Sequence, residues 1–196
     1  MVLAFETLVR EAEIAHGHLC AGQILGVRMA MLGLERLGIT DPKGTERKRL
    51  VTFVEIDRCA TDAIAVVTGC RLGKRALKFR DWGKMAATFV DLQTGKAIRI
   101  AARESSKDRA RELYPEIENK NHQQMHAYRE MPDADLFTEQ WVTAPVAPRE
   151  MPGYKSGRIV CAECGEGINY DRQAMRDGRT LCQGCADPDA RYYQPV

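Results

Sequence analysis

The sequence predicts an α+β domain followed by a small module organised by cysteines rather than by a hydrophobic core. Three observations lead there. Helix-like and strand-like patterns succeed one another without regular alternation, which disfavours a doubly wound parallel sheet. Between Ala144 and Gly157 lie Pro145, Pro148 and Pro152 with little apolar periodicity, the composition of a linker. Beyond it, Cys161-x-x-Cys164 and Cys182-x-x-Cys185 occur in a stretch poor in large apolar side chains. The expected organisation is a core over 1–145, a linker over 146–157 and a cysteine module over 158–196.

The elements follow in order. An apolar stripe through Leu8, Ala12 and Ala15 predicts a first helix, interrupted at Gly17. Ile24, Val27, Met31, Leu34 and Leu37 recur at helical spacing from about Ala21, and Gly38 ends that helix. Leu50 to Ile56 is β-branched and half-alternating, a strand. Thr61 or Asp62 can cap a short helix that stops at Gly69. Leu77–Arg80, Met85–Asp91 and Ala97–Ala102 read as strands, the last two joined by a Thr94-Gly95 turn. Ser105 or Ser106 opens a helix that breaks near Pro115, and a polar helix is expected from about Glu116 to Arg129.

Composition narrows the classes. With 44% hydrophobic residues in 196, a buried core is expected and general disorder is excluded. The 29 basic and 27 acidic residues leave a formal charge of +2, too small for nucleic acid to be held by bulk charge. The longest apolar stretch, Gln23 to Leu37, is broken by Arg28 and Glu35, so no membrane span is expected. Arg10, the first basic residue, lies behind Glu6, the wrong order for a secretory n-region. The expectation is a cytoplasmic protein whose seven thiols bind metal or do chemistry.

The paired cysteines are the strongest local signal. Two thiolates separated by two residues can face one point, and two such knuckles complete a tetrahedron around zinc. Cys161, Cys164, Cys182 and Cys185 are therefore expected to hold a structural zinc that supplies much of the folding free energy here. Two redox dithiols or a pair of disulfides are the alternative. Cys161-Ala-Glu-Cys-Gly-Glu-Gly-Ile168, with Leu181 before the second pair, resembles the four-cysteine zinc finger of the DksA/TraR type. From Lys155 onward acidic and basic residues balance, six against six, so the module has no basic face for DNA. A protein partner suits it better.

A second constellation is His16-Gly-His18-Leu-Cys20. In an extended chain all three side chains share one side; in a helix only His16 and Cys20 do. Cys20 precedes a predicted helix, where the dipole favours thiolate, so it suits a metal ligand or a nucleophile. Glu55-Ile-Asp57-Arg-Cys59 ends a strand, and Thr68-Gly-Cys70 follows a short helix. His18, Cys20 and Cys59 are the expected core site, with a second transition metal as its candidate cofactor. Whether Cys70, His16 or Asp62 joins it is open at this stage. His122 and His126, four apart on a polar helix, are left unassigned.

Four motifs together resemble the FmdE family, named for one of the subunits of formylmethanofuran dehydrogenase. They are His16-Gly-His-Leu-Cys-Ala-Gly-Gln-Ile-Leu-Gly-Val-Arg-Met-Ala30, Glu55-Ile-Asp-Arg-Cys-Ala-Thr-Asp-Ala-Ile64, Val67-Thr-Gly-Cys-Arg-Leu-Gly73 and Phe79-Arg-Asp-Trp-Gly-Lys84. The resemblance implies an α+β core with a mixed or antiparallel sheet and packed helices, then a zinc-ribbon-like finger, in a homodimer. It also implies a role for Lys84 beside Cys20 in the chemistry, holding an anion or stabilising a thiolate. Ala21 departs from the family pattern, which often has proline after the cysteine.

Arg71 to Arg111 contains twelve basic and four acidic residues, a local excess of +8. Such a surface suits an anionic small ligand, although charges alternating along strands also form ordinary solvated faces. Two functional readings follow. One is an enzyme or accessory factor in one-carbon or molybdenum/tungsten-enzyme metabolism, a placement that comes from the resemblance. The other is a metal-sensing or regulatory protein acting through the finger.

Overall fold

A computed structural model describes residues 4–193, and the chain divides after Pro145 into two compact units. The first opens with α1 (Phe5–His16) and α2 (Ala21–Leu37), then β1 (Leu50–Val54) and α3 (Cys59–Thr68). A 3-10 turn precedes β2 (Leu77–Phe79), and β3 (Ala86–Asp91) and β4 (Ala97–Ala102) form the hairpin. Three helices, α4 (Ser105–Leu113), α5 (Lys120–Glu130) and the short α6 (Asp133–Leu136), lead into β5 (Phe137–Val142). The sheet runs β2-β1-β3-β4-β5; β1 and β2 are parallel and the other pairs antiparallel. This is the mixed sheet of an α+β fold.

The central element is α2. Its sequence is apolar nearly all round, and Ile24, Val27, Met29, Leu32 and Leu34 are all buried. Such a helix belongs inside a domain rather than at its surface. On one side Gly33 admits Phe89 of β3, whose ring would lie 2.4 Å from any added Cβ. On another, Gly26 lets α2 touch the backbone of α3: a Cβ there would sit 2.5 Å from the Ala60 carbonyl oxygen. Arg28, the charge that interrupts the apolar stretch, is also structural. Its guanidinium donates to the carbonyls of Tyr128, Arg129 and Met131, and to Asp133 at 2.6 Å. It thereby satisfies carbonyls at the C-terminal end of α5.

Several elements differ from the sequence-based expectation. Helix α3 starts at Cys59 with Arg58 as its N-cap, ahead of Thr61 and Asp62, and the Thr61 hydroxyl donates to the Ile56 carbonyl instead of capping. The helix expected from Glu116 begins only at Lys120, because the Asn119 side chain caps it, accepting the N–H groups of Asn121 and His122. Strand β5 is absent from that expectation. It is an edge strand with most of its side chains in solvent, so it has no apolar alternation to read.

Two ion pairs brace the sheet. Glu55, only 3% exposed, receives both arms of Arg99 at 2.7 Å. Asp91 at the hairpin accepts from Arg49, from the Thr94 hydroxyl and from the Gln93 N–H. Burial works to raise the Asp91 pKa, but these donors outweigh it and hold the carboxyl at about 2.

The second unit is small. β6 (Ile159–Val160) pairs with β7 (Gly167–Ile168), and β8 (Ala174–Arg176) with β9 (Arg179–Leu181), before the single turn α7 (Gln183–Ala186). Its buried cluster is Cys161, Ile168, Leu181 and Cys185. Half of that core is cysteine.

Two predictions arise from this packing. Gly26→Val should destabilise the first unit by about 2–3 kcal/mol through overpacking against Ala60, read as a lower urea midpoint. Asp91 has a depressed folded pKa, so its contribution is complete above the unfolded value near 4 and is lost as pH falls towards 2. In Asp91→Asn the slope of stability against pH should flatten in that interval; an unchanged slope would refute the assignment.

Candidate metal centres

Four sulfurs meet in the second unit. Cys161 and Cys164 lie in the turn between β6 and β7; Cys182 is the N-cap of α7 and Cys185 lies within it. All four Sγ atoms lie within 4.8 Å of one another, with Cys164 and Cys182 at 4.0 Å. Tetrahedral Zn–S bonds of about 2.3 Å place sulfurs about 3.8 Å apart, so the donor set fits zinc. Backbone N–H groups of Cys164, Cys182 and Glu163 pull the Cys161 thiol down to about 6, while burial and the neighbouring thiols push Cys185 up to about 12. Four thiols this close cannot all ionise without a compensating divalent cation.

The first unit brings together a second set. Helix α1 ends at His16, and Gly17, at φ +94°, turns the chain sharply so that Cys20 becomes the N-cap of α2. Cys59 is the first residue of α3. One ring nitrogen of His16 and the sulfurs of Cys20 and Cys59 all lie within 4.8 Å of each other, and each residue is half-buried. Gly22 makes this meeting feasible, since its absent Cβ would stand 3.2 Å from the Cβ of Cys59.

Residues around this cluster hold it in place. Asp62, one turn along α3 from Cys59, pairs with His16 Nδ1 at 2.8 Å. With that nitrogen donating to the carboxylate, Nε2 is left with the lone pair that a metal ligand needs. The buried Gln23 donates through Nε2 to the Cys59 carbonyl at 2.8 Å. Ala21 donates its N–H to Asn121 at 2.9 Å. A proline at position 21 would lack that N–H, so the departure from the family pattern has a local partner here. Burial, then the neighbouring Cys20 thiol, pushes the Cys59 pKa up, while the charge of Arg58 acts in the opposite direction.

Not every expected residue falls in this cluster. His18 lies outside the trio; its exposed ring stands 4.7 Å from that of His16, at the rim of the adjoining cavity. Cys70 is a core residue, 2% exposed, with its sulfur 3.5 Å from the Thr52 hydroxyl and its pKa raised by burial. Glu55 is committed to Arg99. Lys84 is exposed on the loop before β3 with its ammonium 5.8 Å from the Trp82 ring centroid, and it does not line the cavity.

That cavity, about 380 Å³, has Cys20 and Cys59 in its wall. Arg58, Arg103 and Lys107 add positive charge; Leu25, Met85 and Tyr128 add apolar surface. Residues at the starts of α2, α3, α4 and α5 all contribute to it. Arg103 and Lys107 fall in the basic window noted above and Arg58 in the Glu55–Ile64 motif, but nothing local joins the three, because they come from segments 45 residues apart (58 to 103).

The family profile described as "FmdE, Molybdenum formylmethanofuran dehydrogenase operon" matches residues 15–138, which include every residue of the cluster and cavity. The chain belongs to the FmdE family. A second profile, the prokaryotic dksA/traR C4-type zinc finger, matches residues 154–189 and contains the four-sulfur site. A probable S-adenosyl-L-methionine-binding protein of Archaeoglobus fulgidus is 29% identical over 96% of this chain and 54% of its own length. The FmdE chain thus spans about half of that relative. The crystal structure of a tungsten formylmethanofuran dehydrogenase FmdE-like protein from Syntrophus aciditrophicus superposes with a TM-score of 0.66. It covers 96% of this chain and 95% of that one at 19% identity, a likeness of fold.

The finger's dependence on metal is directly measurable. Chelation should abolish slow amide exchange over residues 159–186 while leaving β1, β3 and β4 protected. Protection that survives in the finger after zinc is stripped would show that it folds without metal.

Proposed function

We propose that this FmdE-family chain is an enzyme or accessory factor in one-carbon or molybdenum/tungsten-enzyme metabolism. His16, Cys20 and Cys59 hold a core transition metal, and the finger holds a structural zinc. The observation that carries the reading is the convergence of one imidazole and two thiols, from the 16–20 stretch and the start of α3, beside a cavity large enough for a substrate. Three protein ligands with a remaining position open to a cavity is the arrangement of catalytic rather than structural zinc. Zinc bound there supplies Lewis acidity at the cavity wall. The chain's own part is to present it: Asp62 fixes the His16 tautomer, Gln23 anchors the first turn of α3, and Cys20 offers the reactive sulfur.

Metal analysis of purified full-length variants tests this. Wild type should carry two equivalents per chain, Cys161→Ser one and Cys20→Ala one. A single equivalent in wild type that vanishes in Cys161→Ser would remove the core metal. Asp62→Asn should weaken the core metal about 10–100-fold in a chelator competition and leave the finger's zinc unchanged.

A second reading, a metal-sensing or regulatory protein acting through finger contacts, is favoured by the exposed apolar side chains of Val160 and Met175. It makes the homodimer, or another protein association, respond to core-metal loading. Sedimentation of the full chain with and without core metal separates the two: the enzyme reading has no shift, the sensor reading has one.

A further inference from the structure

The cavity beside the core cluster differs from the rest of the surface in how its arginines are used. Elsewhere in the first unit, guanidinium groups mostly meet carboxylates, as with Arg36 and Glu139, Arg49 and Asp91, Arg99 and Glu55, and Arg109 and Glu112. Arg58, at the N-cap of α3 next to Cys59, makes no side-chain hydrogen bond or ion pair among the described residues. Arg103 commits only its Nε, which donates to the Phe137 carbonyl at 2.9 Å. Its two terminal nitrogens have no protein partner among the described residues. Lys107 meets Glu104 at 2.5 Å, but both side chains are well exposed, so that pair is screened by solvent.

The apolar part of the lining has another character. Leu25 is nearly buried, Met85 and Ala102 are partly buried, and Tyr128 presents a buried ring. Asn121 and Gln124 contribute neutral polar groups, and Glu104, the partner of Lys107, contributes the one carboxylate of this lining. A ligand filling this space meets guanidinium groups, hydrocarbon and the two cysteines of the cluster within one lining. Guanidinium forks match the planar oxygens of carboxylates and the tetrahedral oxygens of phosphates.

We propose that the cavity binds a small organic anion. Its carboxylate or phosphate is held by Arg58 and Arg103 with Lys107 nearby, its apolar body lies against Leu25, Met85 and Tyr128, and its reacting end is directed to Cys20 and Cys59. This deepens the metal-centre reading by naming its substrate class, and only the placement of the reacting end rests on that reading. The cationic role that the family resemblance gives to Lys84 is taken here by side chains at, or just before, the starts of α3 and α4.

Isothermal titration at low salt tests it with two probes, phenylphosphate and benzoate, which distinguish a phosphate head from a carboxylate head. Wild type should bind at least one of them, and Arg58→Gln/Arg103→Gln should bind it at least 10-fold more weakly. Because Arg103 also contacts backbone, Arg58→Gln/Lys107→Gln serves as the second variant, with the same direction of change. Metal content is measured on the same samples, and both variants should retain the core equivalent. Neither probe binding to wild type, or equal binding by both variants, overturns the anion site whatever the metal content. Binding that is lost in Cys20→Ser but kept in both arginine variants overturns it too, since the metal alone would then hold the anion. Anion binding with no core metal would leave the anion site standing and remove the metal reading.

Discussion

The core site depends on one contact, the backbone-to-backbone crossing of α2 and α3. Gly22 and Gly26 lie four residues apart on one stripe of α2, and α3 packs into that stripe through Cys59, Ala60 and Ala63. Larger side chains would push the helices apart by the width of a methyl group or more. The two sulfurs belong to the first turns of these two helices, so their separation is set by the crossing rather than by any bond between them. Gln23, between the two glycines, ties the crossing at its open end by holding the Cys59 carbonyl. The packing and the chemistry are therefore one constraint.

How much of this was legible in the sequence followed from how local each feature is. The finger is a local object: two short knuckles whose spacing alone states the geometry, and its four cysteines do converge. Cys20 and Cys59 could be nominated because both stand at the ends of elements. The sequence favours His18, whereas the fold brings His16 to the two sulfurs, because the choice turns on the angle that Gly17 imposes after α1. An extended chain would have aligned residues 16, 18 and 20; a left-handed turn after a helix end selects the histidine before it. Cys70 also follows a glycine at a helix end, yet it points into hydrocarbon beside Thr52 and Leu50. Nothing in the local pattern separates these two glycine–cysteine neighbourhoods; tertiary packing does.

The charge excess between Arg71 and Arg111 gives the same lesson. Several of its cations are spent within the fold or its surface pairs: Arg99 neutralises a buried glutamate, while Arg109 and Arg111 pair with Glu112 and Asp108 one turn away. Only Arg103 and Lys107 from that window reach the cavity, and they are joined by Arg58 from another segment. A local net charge overstates the field wherever acids from elsewhere fold back onto it. What matters for a ligand is which guanidinium groups are left uncommitted at one place.

The two sulfur-rich sites use similar donors in opposite ways. In the finger, Cys161 and Cys185 are buried, and four sulfurs surround one point, so a metal there has no position left for a substrate. The sulfurs also make up much of the unit's small core, so coordination stands in for hydrophobic burial. In the first unit an extensive apolar core surrounds α2, and the donors number three. All three are half-buried, and Cys20 and Cys59 line a cavity. Under the proposed reading, three donors at the edge of a cavity lined by Arg58, Arg103 and Lys107 leave room for an exchangeable ligand. The closed finger is built to hold its shape.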